Sequence, residues 1–247
     1  MRKTAYEVLC VVVLTLSLCT ALFSEPAQYV ALHEILQAHE ALPAWTIAPV
    51  SIQITGVSTR GGTAEPVTIT ATRYEEVLIQ YGARERRVTT PSANFRADAS
   101  KVTSEDTPGG FAQMDVTGLF LVAQLAERGA AVGAAEETAS PGLRRITVWG
   151  NRSELHYRRF TVRDILDLYI DASGRLAGIV RQFYPDEPQY RHTVSLAFSD
   201  YRKTGGVLLP YRIERFLQGK SMETLTVEAY AFDVPAGRAM FAKRRMQ

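Results

Sequence analysis

From position 50 onward the chain alternates. In "VSIQITGVST" Ile52 and Ile54 stand against Ser51, Gln53 and Thr55, and "EPVTITATRYEEVLIQYG" continues with β-branched and aromatic side chains. Successive strand side chains point to opposite faces, so this period predicts strands with one buried face. Gly61-Gly62 and Gly82 interrupt the run at turn positions, which predicts an antiparallel meander over residues 50 to 88. The alternation returns in "LRRITVWG", "SELHYRRFTV", "DILDLYID", "LAGIVRQFY", "YRHTVSLAFSDYR", "VLLPYRIERFL" and "METLTVEAYAFDV". Between them lie short links, with Asp171-Ala172-Ser173-Gly174, Gly205-Gly206 and Gln218-Gly219 as turns. Strands joined so tightly pair antiparallel, because a parallel crossover needs about a dozen residues or more.

Two segments carry the helical period instead. "YVALHEILQAHEALPAW" places Val30, Leu32, Ile35, Leu36 and His39 near one face and stops at Pro43, predicting a short amphipathic helix against the sheet. "DVTGLFLVAQLAERG" offers Asp115 as an N-cap and Gly129 as a stop. Its body, Leu119, Phe120, Leu121, Val122 and Leu125, is apolar nearly all round, so it must be buried on most of its surface. Residues 91 to 112 are polar and small and predict a long loop or an irregular edge, and "AAVGAAEETASPG" predicts a second connector. The fold class is therefore α+β and mainly β, with the strands in one large curved antiparallel sheet.

The N-terminal "MRKTAYEVLCVVVLTLSLCTALFSEPAQ" changes the picture. Arg2 and Lys3, the apolar run Val8 to Leu18, and an exit at Cys19, Thr20 and Ala21 or at Leu22, Phe23 and Ser24 read as a secretory signal peptide over residues 1–24. That leaves 25–247 as a single exported domain. The apolar run is short of the roughly 20 residues of a membrane span. Two alternatives stay open: retention of the segment as an anchor, and lipid attachment at Cys19, whose preceding Leu18 fits such a cleavage site poorly. Both cysteines, Cys10 and Cys19, lie in this segment, so cleavage leaves no thiol for disulfides, redox chemistry or zinc. With 28 basic and 26 acidic side chains the net charge is +2, and no global field argues for a nucleic-acid partner.

Candidate chemistry is sparse. In "HEILQAHE" the two histidines are six apart, about 240° around a helix, and cannot chelate one ion from it. His156 and His192 lie in strand-like stretches beside Tyr and Arg, where a histidine satisfied by a neighbour is the plain reading. Asp164 and Asp167 fall on opposite faces of a strand, so they form no acid–base pair. Asn151 opens an "NRS" acceptor for glycosylation. The chain lacks a GxSxG elbow, a P-loop and a GxGxxG turn, and the expectation is a protein that is not an enzyme and uses no cofactor or metal.

The run "FSDYRKTGGVLLPYRIERFLQGK", followed by "LTVEAYAFDVPAGRAMFA", resembles the C-terminal pattern of the LolA/LolB-type lipoprotein-sorting family. A strand ends in Tyr201, Gly205-Gly206 turns into Leu209, Pro210 and Ile213, and a later strand ends in Phe232, Val234 and Pro235 before Phe241. The match covers residues 160 to 242, with the order of elements extending it upstream. The resemblance implies an incomplete antiparallel β-barrel, a half-barrel whose curved sheet wraps an apolar cavity and whose apolar concave face is covered by helices. It further implies a non-enzymatic periplasmic carrier that reversibly buries acyl chains of lipids or lipoproteins, with an inner-membrane donor and an outer-membrane acceptor as partners. The alternative it leaves is an envelope-stress sensor or adaptor of the same fold that binds a protein partner. No catalytic residues transfer from the family. The apolar phases of the helix and strands nominate Leu119, Phe120, Val122, Leu166, Leu168, Ile179, Leu196, Phe198, Leu209, Tyr211 and Ile213 as the cavity lining. In the 207–217 strand Leu209, Tyr211 and Ile213 would then form wall, with Arg212, Glu214 and Gln218 on the wet side.

Overall fold

Among the described residues fourteen strands share one antiparallel sheet, which the computed structural model places in two series. The residues it describes are 27–42, 44–45, 49–73, 76–83, 85–90, 93–98, 101–104, 118–149, 155–157, 160–162, 165–183 and 192–236. The expected signal segment, Asp115, Asn151, Asp164, Phe241 and the side chains of His156 and His192 lie outside what is described. The first series is the expected meander: β1 (Ser51–Arg60), β2 (Thr63–Thr72), β3 (Val77–Tyr81), β4 (Glu85–Thr90), β5 (Ala93–Asp98) and β6 (Lys101–Ser104), each paired with the one before. The β5–β6 hairpin occupies the stretch expected as loop or irregular edge. Ladder hydrogen bonds at a sheet edge need no apolar alternation, so polar, small residues can still pair there.

The second series begins with the two-residue strands β7 (Ala131–Val132) and β8 (Glu136–Glu137), which lie in the expected connector and pair with β9 (Arg144–Trp149). A detached hairpin follows, β10 (Leu155–Tyr157) with β11 (Phe160–Val162). Then come β12 (Ile165–Ile170), β13 (Leu176–Phe183), β14 (His192–Thr204), β15 (Val207–Leu217) and β16 (Lys220–Phe232). The expected turns are in place: Gly205 and Gly206 both take positive φ, 58° and 88°, the left-handed pair that a two-residue hairpin requires. Asp171 closes the other turn, its Oδ1 accepting the Ser173 and Arg175 amides at 2.8 and 3.0 Å.

The long-range step is β1 against β16, which joins the two series back to back. The order becomes β6-β5-β4-β3-β2-β1-β16-β15-β14-β13-β12-β9-β7, and among the described residues no pairing joins β6 to β7. Among the described residues the fold is thus an open sheet, mainly β with two helices, as in an incomplete barrel. Those helices are α1 (Ala27–Ala38) and α2 (Gly118–Glu127), which pack on each other, α1 also on β7 and α2 on β13. Because α2 lies in the sequence between the two opposite edges, the chain that links them carries it over the sheet. Among the described residues no helix is long and apolar enough to cross a membrane.

Cross-strand registers assemble the core. Ile146, Leu168, Ile179 and Leu196 face one another across four strands, Phe198, Ile213 and Leu225 across three, and Ile54, Ile69 and Ile79 across the meander, all buried. Leu32, Ile35 and Leu36 of α1 and Leu119, Phe120 and Val122 of α2 close on these rows. Each such side chain contributes about 1.5–3 kcal/mol on full burial. The helix α2 is buried at Gly118, Leu119, Phe120, Val122, Ala123, Gln124 and Ala126, with Leu121 and Leu125 half-buried, which is the burial over most of its surface that its sequence demanded.

Candidate functional site

The first turn of α2 meets the concave face at Gly118. A Cβ there would fall 2.5 Å from Leu176 Cδ2 and 2.8 Å from both Ile179 Cδ1 and Phe198 Cε2. Leu176 and Ile179 share that face because the ladder slips between Tyr169 and Ile170, which turns the start of β13 inward. The helix can therefore lie this deep only where it has no side chain. Gly118→Val is expected to destabilise the fold by about 1–3 kcal/mol through overpacking, and to raise binding of a hydrophobic dye as α2 lifts. A urea titration with dye fluorescence checks it, and an unchanged midpoint and dye signal would contradict this seating.

Beside the seat lies a cavity of about 20 Å³, lined by Ile69, Tyr81, Leu196, Ile213, Arg215, Glu223 and Leu225. That is room for about one water, not for an acyl chain. Its polar end is built from strand phase. Arg215 stands two residues beyond Ile213, on the same face, and is in register with Leu196 on one side and Glu223 on the other. The Arg215 guanidinium pairs with the Glu223 carboxylate, and the two residues are only 9% and 8% exposed. Ser58 Oγ donates to Glu223 Oε1, and Tyr81 Oη donates to Oε2 at 3.3 Å. Over Tyr81 lies the Arg60 guanidinium, 3.7 Å from the ring centroid and paired with Glu65, and the Arg87 guanidinium is 5.7 Å from the same ring.

A second buried polar group fastens the C-terminal end of α1. His39 is 1% exposed, and its ring bridges two strands: Nδ1 donates to the Leu208 carbonyl at 2.7 Å, and Nε2 accepts the Leu176 amide at 2.9 Å. The carbonyl can only accept and the amide can only donate, so the ring is neutral with its proton on Nδ1. Burial is the main cause that holds the imidazole below its ordinary pKa of 6.5; the Leu208 bond opposes it, Arg175 adds to it and Asp171 opposes it. Tyr201 packs edge-on against the ring at 5.2 Å and donates its hydroxyl to the Leu176 carbonyl. Burial raises the Tyr201 pKa far above its usual value, so it remains a donor.

The structure gathers the residues nominated as cavity lining into one cluster. Leu119, Phe120 and Val122 on α2, Leu168 on β12, Ile179 on β13, Leu196 and Phe198 on β14, and Leu209 and Ile213 on β15 are buried within it. Leu166 and Tyr211 are half-buried at its margin, where Tyr211 shares its hydroxyl with Thr204 at 2.7 Å and lies edge-on to Tyr230. On the same strand Arg212 and Gln218 are exposed and Glu214 is half-buried, bonded to Arg212 at 2.7 Å. The polar cluster was missed, although its signal was present. Arg215 continues the inward phase of Leu209, Tyr211 and Ile213, and Glu223 shares the phase of Leu225 and Val227, so each is a charge on an apolar face. Among the described residues no group of three His, Cys, Asp or Glu side chains is placed to hold a metal ion.

No family-level sequence profile matches the chain, and no curated protein matches it in sequence. Solved structures do. A DUF1329 family protein from Desulfovibrio piger superposes with a TM-score of 0.52 at 12% identity, covering 90% of this chain and 98% of the other. A LolA superfamily protein from Nitrosomonas europaea superposes with a TM-score of 0.50 at 8% identity, covering 87% of this chain and 98% of the other. At these identities the likeness is one of fold, and it extends over both series of strands.

Proposed function

We propose that this protein is a periplasmic, non-enzymatic carrier that reversibly buries acyl chains of lipids or lipoproteins beneath α2. The observation that carries the reading is the way the concave face is closed. An open sheet is covered there by an apolar helix seated at a residue without a side chain, not by strand pairing. A strand closure would be permanent, whereas a helix held by apolar contacts can be exchanged for another apolar body. The exchange is favourable enough: an acyl chain gains about 0.8 kcal/mol per buried CH₂. In this closed form the cavity of about 20 Å³ holds no chain, so loading requires α2 to move outward. Leu119, Phe120 and Val122 would then give way to cargo over Leu168, Ile179, Leu196, Phe198 and Ile213, with an inner-membrane donor and an outer-membrane acceptor at either end of the transfer.

Native mass spectrometry with lipid extraction tests this on protein prepared from its own envelope. The expected result is one acyl species per chain, absent from Phe120→Glu. An empty protein that also refuses a fluorescent fatty-acyl probe would sink the reading.

A further inference from the structure

Three elements meet at Leu176, the first residue of β13. Its amide is held by the His39 ring at the end of α1, its carbonyl accepts the Tyr201 hydroxyl of β14, and its side chain lies under Gly118 of α2. A Cβ at Gly118 would stand nearer to Leu176 than to Ile179 or Phe198, so a small shift of Leu176 is felt by the close-packed helix above it. His39 has a second attachment, to β15. Its carbonyl accepts the Leu208 amide at 2.8 Å while its Nδ1 donates to the Leu208 carbonyl, and this clip is the same whether the ring is neutral or charged. Only the bond to Leu176 depends on the charge: neutral Nε2 accepts that amide, whereas a protonated Nε2 turns a second N–H towards it. Among the described residues no carboxylate facing the ring is free to answer its charge. From the β12–β13 turn Asp171 and Arg175 face it, but they are paired, Arg175 Nε and Nη2 donating to Asp171 Oδ2 at 3.0 and 2.9 Å. From β14 come Tyr201, edge-on to the ring with its hydroxyl kept protonated, and Lys203, which pairs with Glu40 beside His39. β15 presents the main chain of Leu208. Of the other two elements packed on α1, β7 carries no ionisable side chain and α2 carries Glu127, paired with Arg73.

We propose that His39 is a proton-operated latch on the α2 seat: a proton taken up at Nε2 breaks the bond to Leu176, Leu176 shifts from beneath Gly118, and the first turn of α2 rises while the sheet keeps its pairing. The two-state element is α2, seated or lifted, and the proton is the ligand that favours the lifted state. α1 stays clipped to β15 throughout. The latch needs no cargo, so it stands or fails separately from the carrier reading. Where both hold, acid opens the acyl face.

Amide hydrogen exchange read by mass spectrometry on the full chain at pH 8 and pH 5 tests this, with protection corrected for the intrinsic pH dependence of exchange. A ring that takes its proton at 6.5 once unlatched favours the lifted form by up to about thirtyfold more at pH 5 than at pH 8. Wild-type peptides over residues 118–127 should lose up to about that factor of protection on acidification, while peptides over β1 and β16 keep theirs. His39→Gln offers a donor and an acceptor that do not titrate, so the ratio of its α2 protection at the two pH values should fall to about one. That ratio is the quantity read, whatever the variant's protection at pH 8. Equal α2 protection in the wild type at both pH values, a loss shared in full by β1 and β16, or the wild-type ratio persisting in His39→Gln overturns the latch. None of these outcomes touches the carrier reading, which fails instead on a protein that holds no acyl species and takes up no acyl probe.

Discussion

Glu223→Leu is expected to cost about 3–5 kcal/mol of stability, and Arg215→Met/Glu223→Leu to restore most of it. The single change leaves the Arg215 guanidinium buried without the carboxylate it faces, and removes the acceptor of the Ser58 and Tyr81 hydroxyls. The double change removes both charges together, and Met and Leu fill the space with apolar atoms next to Ile213 and Leu225. Urea denaturation of the two variants beside the wild type decides it, the difference between single and double being the informative quantity. A single variant within about 1 kcal/mol of wild type, the cost of an exposed pair, would mean that the cluster is open to water.

The second large effect belongs to His39. Replacing it by Phe keeps the ring shape but leaves the Leu176 amide and the Leu208 carbonyl without the partners they have here, at about 1–3 kcal/mol for each buried group. The wild type should in addition be pH-dependent in a way the variant is not. The folded state resists protonating His39 while the unfolded chain takes the proton at about 6.5, so the unfolded state binds more protons below that value. The histidine contribution is therefore complete above pH 6.5 and is lost as pH falls, by up to about 1.4 kcal/mol per unit. Protonation would also set an Nε2–H against the Leu176 N–H, with Arg175 nearby adding repulsion and Asp171 opposing it. Urea midpoints for wild type and His39→Phe at pH 8, 6 and 5 read this directly. Parallel pH dependences in the two proteins would assign the acid sensitivity to other groups.

Legibility followed range. The strands from 51 to 81 and from 165 to 232, their glycine turns, and the two helices were readable because alternation, helical period and turn chemistry act between near neighbours. The β5–β6 hairpin was less so, since an edge pair needs only main-chain partners. His39 read as one more residue on an apolar helical face. Its partners Leu176 and Leu208 lie 137 and 169 positions away, which no local pattern reports.

The sequence by itself determined a mainly β chain of tightly linked antiparallel strands, an all-round apolar helix, and the inward phase of Leu209, Ile213, Leu196 and Ile179. Only the tertiary structure decided that β1 closes on β16, that among the described residues no pairing joins the outer edges while α2 packs on the sheet, and that Arg215, Glu223, Ser58 and Tyr81 meet. The reason is physical: phase is a property of each strand, but which charge finds which partner depends on register across strands as far apart as Ser58 and Glu223, 165 residues along the chain.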